Sequence, residues 1–154
     1  MGKGIDVGDQ APDFTVTSHD GKQIRLGEFH DKQVVVLFFY PKDGTPMCTK
    51  EACAFRDAYH DFAEAGAVVI GVSADSEDRH RGFAAKNDLP FHLVSDRDGS
   101  LRRLFNVPKT MGFLPGRVTY VIDKAGTVRL LFNSQMSTDG HVEQALEVVR
   151  NLAE

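Results

Sequence analysis

The chain has 154 residues, 42% of them hydrophobic and 26% charged, which is enough for one ordinary globular domain over 1–154 with a sizeable core. A net charge of −4, with both signs spread along the chain, argues against a nucleic-acid footprint and against a basic membrane patch. No apolar run nears the ~20 residues that span a bilayer, and Met1-Gly-Lys-Gly-Ile-Asp6 has no apolar leader core, so the cytoplasm is the default expectation.

Phe14–Ser18 and Gln23–Leu26 flank Asp20-Gly21 and predict a β-hairpin. Gln33–Phe39 is a continuous apolar, β-branched run, the pattern of a central strand covered on both faces. Tyr40-Pro41 ends it. From Thr49 the spacing of Ala52, Phe55, Tyr59, Phe62 and Ala63 predicts one helix, with Gly66 as its C-cap. Ala67–Ser73 reads as a second buried strand. Asp75-Ser76 caps a helix to about Lys86. Phe91–Val94 is a short strand and Ser100–Phe105 a short helix. A Pro/Gly-rich loop over 106–116 leads to a strand at Arg117–Ile122. Lys124-Ala-Gly126 turns the chain into Thr127–Phe132, and Asp139 caps a last helix to about Leu152. Alternating strands and helices followed by a hairpin and a helix make an α/β fold with a central mixed sheet flanked by helices.

Both cysteines, Cys48 and Cys53, fall at the start of the first long helix. A helix N-terminus offers unpaired N–H groups and the positive end of the dipole, and both favour a thiolate. A second thiol five residues on can capture what forms on the first. Two cysteines in a reducing compartment point to redox chemistry or metal binding rather than a structural staple. The six histidines are scattered without Cys/His spacing, so no metal and no cofactor is expected, and all six read as structural or surface residues. Pro41, Thr45 and Cys48 follow a P-x-x-x-T-x-x-C spacing. Thr45 carries a hydroxyl that both donates and accepts. Pro41 lacks an N–H and can shield one side of a pocket, and Pro46 suits the first turn of a helix.

The segment Phe39–Asp57 resembles the peroxiredoxins, in particular the bacterioferritin comigratory protein or Q-type branch. Ala11–Phe14, Val69–Ser73, Phe91–Asp96 and Arg117–Asp123 match in the same order and extend the resemblance over most of the chain. It implies a thioredoxin-like fold and reduction of hydrogen peroxide or organic hydroperoxides. It gives Cys48 the peroxidatic role, Thr45 the hydroxyl role, Pro41 the shielding role and Arg117 a guanidinium role beside the sulfur. It implies a Cys48–Cys53 disulfide, thioredoxin or a similar dithiol protein as reductant, and a monomer rather than an oligomer. Five residues of α-helix rise ~7.5 Å and rotate ~140°, whereas a disulfide needs Cα atoms within roughly 7 Å. The helix must therefore unwind if the two sulfurs are to join.

Glu51, Met47 and Phe39 are weaker candidates for the substrate pocket. Met47 stands where this branch commonly has glycine. Glu51 reads equally well as a solvated helix acid, and Phe39 as core. Arg56 reads as an ion-pair partner. Two other functions stay open: a thiol–disulfide reductase, for which Cys-x4-Cys is longer than the usual spacing, and a peroxide-sensing switch or holdase.

Overall fold

The computed structural model describes residues 5–109 and 116–153. Every residue of β3 (Val34–Phe39) is buried, yet successive side chains point to opposite faces. Val34, Val36 and Phe38, continued by Tyr40, join one apolar cluster. Val35, Leu37 and Phe39 join another. Such a strand belongs at the centre of a sheet covered on both sides. Around it lie β4 (Ala67–Ser73), β5 (His92–Ser95), β6 (Val118–Ile122) and β7 (Val128–Asn133). The order is β5-β4-β3-β6-β7. β3, β4 and β5 are parallel, while β6 and β7 add antiparallel. The expected mixed sheet is present, and so is the hairpin of β1 (Thr15–Thr17) and β2 (Gln23–Arg25).

On the first face pack α1 (Pro46–Asp57), α2 (Tyr59–Glu64) and α3 (Glu77–Asn87). The second face takes Leu101 and Phe105 from α4 (Ser100–Phe105), with Phe14 and Ile24 from around the hairpin. α5 (Thr138–Ala153) returns to the first face through Val142, Ala145 and Val149. Phe38 stacks on Phe55 of α1 with ring centroids 4.4 Å apart. Burying a side chain of that size stabilises by ~1.5–3 kcal/mol. Gly71 makes room for it: a Cβ there would lie 2.8 Å from the Phe38 ring and 2.9 Å from Leu93.

The structure corrects three boundaries. The long helix starts at Pro46, not Thr49, and is broken at Ala58 into two. Ala58 has φ −93° and ψ 1°, and its N–H bonds both Ala54 and Arg56 carbonyls. No Pro or Gly marks this break, so periodicity alone runs through it. The last helix begins at Thr138, which puts Asp139 inside its first turn rather than at its cap. Of the 106–116 loop, residues 110–115 lie outside the described residues.

Candidate active site

β3 delivers the chain to a loop, Pro41–Thr45, and the loop delivers it to α1. A buried anchor holds this loop. The Asp43 carboxylate accepts from the Tyr40 hydroxyl at 2.5 Å and lies 2.6 Å from Nδ1 of His80, whose Nε2 is 3.0 Å from the Val94 carbonyl. The Asp43 N–H donates to Asp75 at 2.7 Å, and Ser73 donates to the same Asp75 oxygen at 2.8 Å. Asp43 and His80 are both buried. The path into Cys48 is thereby tied to β4, β5 and α3. Nothing in the spacing of Asp43 and His80 announces this pair; it is made by the fold, 37 residues apart.

Cys48 sits in the first turn of α1 and is 2% exposed. The helical pattern begins with Thr49 N–H donating to the Thr45 carbonyl at 2.9 Å. The N–H groups of Met47 and Cys48 precede it, at the positive end of the helix. Arg117 comes from the residue before β6, and β6 pairs directly with β3. Its Nη2 donates to Cys48 Sγ at 3.4 Å, its Nη1 to Glu51 Oε1 at 2.7 Å, and its Nε to the Gln135 carbonyl at 3.1 Å. One planar fork thus holds sulfur and carboxyl together. Burial opposes the Arg117 charge, but Glu51 and Cys48 outweigh it and hold the guanidinium above its ordinary value. Glu51 is fully buried, which decides against a solvated helix acid.

Burial pushes the Glu51 carboxyl from an ordinary 4.5 up to about 7, against the pull of Arg117. Burial also lowers His141 from 6.5 to about 4, although the Ser134 carbonyl opposes it. The two have opposite consequences for stability. Glu51 binds its proton more tightly in the fold than out of it, so its contribution is full below pH 4.5 and is lost as pH rises through 7. His141 contributes above pH 6.5 and loses that contribution as pH falls through 4. Each is worth about 3 kcal/mol at ~1.4 kcal/mol per pH unit. The two offset one another between pH 4.5 and 6.5, so the parent hides both. Glu51→Gln removes the first alone. Its stability relative to the parent is expected to improve by about 3 kcal/mol between pH 4.5 and 8. Urea unfolding at the two pH values measures it, and a pH-independent difference would contradict the assignment.

The structure places the other expected residues as follows. Thr45 precedes α1, half-buried, and its hydroxyl donates to the Lys42 carbonyl at 2.9 Å rather than to Cys48. Pro41 and Met47 are half-buried on either side of it. Phe39, read as pocket or core, proves to be core: strand alternation turns it to the opposite sheet face, among Phe105 and Tyr120. It serves the site only through Arg102, whose guanidinium lies 5.5 Å from its ring centre. Arg102 was not singled out in the sequence. It donates to the Tyr40 carbonyl at 3.1 Å and the Gly116 carbonyl at 3.3 Å, so it joins the start of the Cys48 loop to the segment carrying Arg117. Cys53 lies later on α1, partly exposed, with its sulfur 3.7 Å from Asn87 Oδ1. Arg56 pairs with Asp57 and donates to the Asn87 carbonyl at 2.8 Å. His141, read as structural or surface, is buried 3.6 Å from Glu51. Among the described residues no cluster of three or more His, Cys, Asp or Glu is arranged to hold a metal ion, and no helix is long and apolar enough to cross a membrane.

A buried thiol at a helix start, with a guanidinium 3.4 Å from the sulfur, has beside it a charge that steadies anions, the setting a thiolate nucleophile needs. Residues 7–131 match the AhpC/TSA family. A chloroplastic peroxiredoxin Q of Gentiana triflora is 47% identical over 96% of this chain and 68% of its own length. One from Sedum lineare is 46% identical over 96% of this chain and 80% of its own. Among solved structures, the peroxidoxin BcpB of Mycobacterium tuberculosis superposes with a TM-score of 0.87 at 36% identity, covering 96% of this chain and 98% of that one. The bacterioferritin comigratory protein of Xanthomonas campestris, described for its alkyl peroxide reduction activity, gives 0.84 at 30% identity, covering 97% and 98%. With the buried Cys48–Arg117–Glu51 cluster on the same thioredoxin-like frame, the chain belongs to the AhpC/TSA family of peroxiredoxins, in its peroxiredoxin Q branch.

Proposed function

We propose that this chain reduces hydrogen peroxide and organic hydroperoxides with Cys48 as the nucleophile. The observation that carries this reading is the contact of Arg117 Nη2 with Cys48 Sγ in a buried site. The Cys48 thiolate attacks the terminal peroxide oxygen. The O–O bond breaks, sulfur becomes a sulfenic acid, and the departing alkoxide or hydroxide takes a proton to leave as alcohol or water. Arg117 and the N–H groups at the start of α1 face the charge that develops on oxygen. Pro41 takes the shielding role and Met47 shapes the pocket, and Thr45 contributes its hydroxyl once it turns from the Lys42 carbonyl.

Cys53 then condenses with the sulfenic acid, releasing water and forming a disulfide. Thioredoxin or a similar dithiol protein reduces that disulfide by exchange, and the monomer suffices for the cycle. The cytoplasm expected from the sequence is one reducing setting for such chemistry; the chloroplast of the plant relatives is another. Peroxide consumption driven by a dithiol reductant tests the reading. Sustained turnover is expected from the parent and none from Cys48→Ser. Turnover that survives Cys48→Ser contradicts it, and a disulfide reduced on a partner without peroxide would favour the reductase alternative.

A further inference from the structure

Behind Arg117 lies a second layer of polar groups that the proposed cycle leaves unused. His141 of α5 and Thr119 of β6 are both fully buried. His141 Nε2 lies 2.7 Å from the Ser134 carbonyl, which only accepts, so Nε2 carries a hydrogen. The ring is neutral at pH 7, so Nδ1 offers a lone pair. The Thr119 hydroxyl, 2.7 Å away, therefore donates to it. Glu51 Oε1 is held by Arg117, while Oε2 is buried without a hydrogen-bond partner among the described residues. Oε2 faces His141 Nδ1 at 3.6 Å. An ionised Glu51 would set a charged oxygen against that lone pair. A protonated Oε2 would point its hydrogen at it, in competition with the Thr119 hydroxyl.

We propose that Thr119 and His141 are positioning residues for the peroxidatic centre: His141 Nδ1 favours a protonated Glu51, Thr119 limits this by donating to the same lone pair, and their balance sets how much of the Arg117 charge is left for the Cys48 sulfur. The charged and titratable groups facing Glu51 are Arg117 from the segment before β6 and His141 from α5, with Cys48 of its own helix on the other arm of the Arg117 fork. Arg102 of α4 acts on the same sulfur from further off. A neutral Glu51 leaves the guanidinium charge uncompensated beside the thiolate. An ionised Glu51 neutralises it. The pair thus acts on the sulfur through two intermediaries, without touching it. The inference rests on the peroxidase reading only for its last step.

Two substitutions pull in opposite directions. Thr119→Val keeps the shape but removes the hydroxyl that occupies Nδ1. The lone pair is then free for the Glu51 proton, and Glu51 should hold it to higher pH. His141→Gln keeps an amide donor for the Ser134 carbonyl but removes Nδ1, so Glu51 should release its proton at lower pH. The infrared band of the protonated carboxyl reports this directly, with Glu51→Gln as the assignment control. A change of about tenfold in proton affinity is expected for each variant, of opposite sign, one good hydrogen bond being worth about that much. The pH dependence of Cys48 oxidation should follow each shift. Unmoved bands, two shifts of the same sign, or a rate profile that ignores a shifted band would each overturn the proposal. A parent protein inert to peroxide would instead sink the peroxidase reading, while the infrared shifts would still decide whether the pair controls Glu51.

Discussion

Arg117→Met is expected to slow the oxidation of Cys48 by hydrogen peroxide about 10²–10³-fold, the usual cost of removing one donor aimed at developing charge. Arg117 serves both ends of the reaction. In the proposed cycle its Nη2, 3.4 Å from Cys48 Sγ, steadies the thiolate before attack and then the charge on the departing oxygen. Methionine keeps much of the side-chain volume but none of the five N–H donors. The fold should survive the change. A buried carboxylate stripped of its cation is normally costly, but Glu51 already gives up its charge near neutral pH. Without Arg117, which pulls its titration down, it stays protonated and the buried charge disappears. Arg117→Lys should recover only part of the rate, since one ammonium cannot bond Glu51 and the sulfur in the same plane. Competition against a reference peroxidase measures the rate constant. A rate within about threefold of the parent would remove Arg117 from the mechanism.

The second large effect concerns α1 itself. Oxidation by one equivalent of peroxide is expected to unwind its first turns. Cys48 and Cys53 lie on one intact helix and are both free thiols. Their helical separation, ~7.5 Å of rise and ~140° of rotation, does not suit a disulfide. Both ends of the stretch are fixed. Asp43 is tied by Tyr40, His80 and Asp75 on one side. Phe55 is fully buried against Phe38 on the other. The unwinding therefore falls between these anchors, and it must release Glu51 from Arg117 or Cys53 from Asn87. Hydrogen exchange on the oxidised protein should show amide protection lost between residues 49 and 53 and kept in β3 and α5. Cys53→Ser should keep that protection after the same treatment. Protection retained across a mapped Cys48–Cys53 disulfide would contradict the geometric argument.

Much of this site was legible before the fold was known. The P-x-x-x-T-x-x-C spacing places three residues on one loop, because contacts a few residues apart follow from local geometry. β3 was legible because an uninterrupted β-branched run has few other places to go. Arg117 came from resemblance alone; strand pairing of β6 with β3 is what carries it to the sulfur. The missed parts are long-range. Asp43–His80, Arg102–Gly116 and Glu51–His141 join residues that are distant in sequence. A histidine within a helix gives no sign whether it faces water or a carboxylate across the core. Phe39 was left between pocket and core for a simpler reason: on a strand buried on both faces, alternation says that neighbours diverge but not which one faces the helix.

Intact-mass and peptide-mapping mass spectrometry of the reduced protein after one equivalent of hydrogen peroxide tests the central claim most directly, with Cys48→Ser and Cys53→Ser alongside. The account predicts loss of two hydrogens within seconds, mapped to a Cys48–Cys53 link and absent from both variants. It also predicts one added oxygen on Cys48 in the Cys53→Ser protein. Slow or absent oxidation of Cys48 in the parent would contradict it.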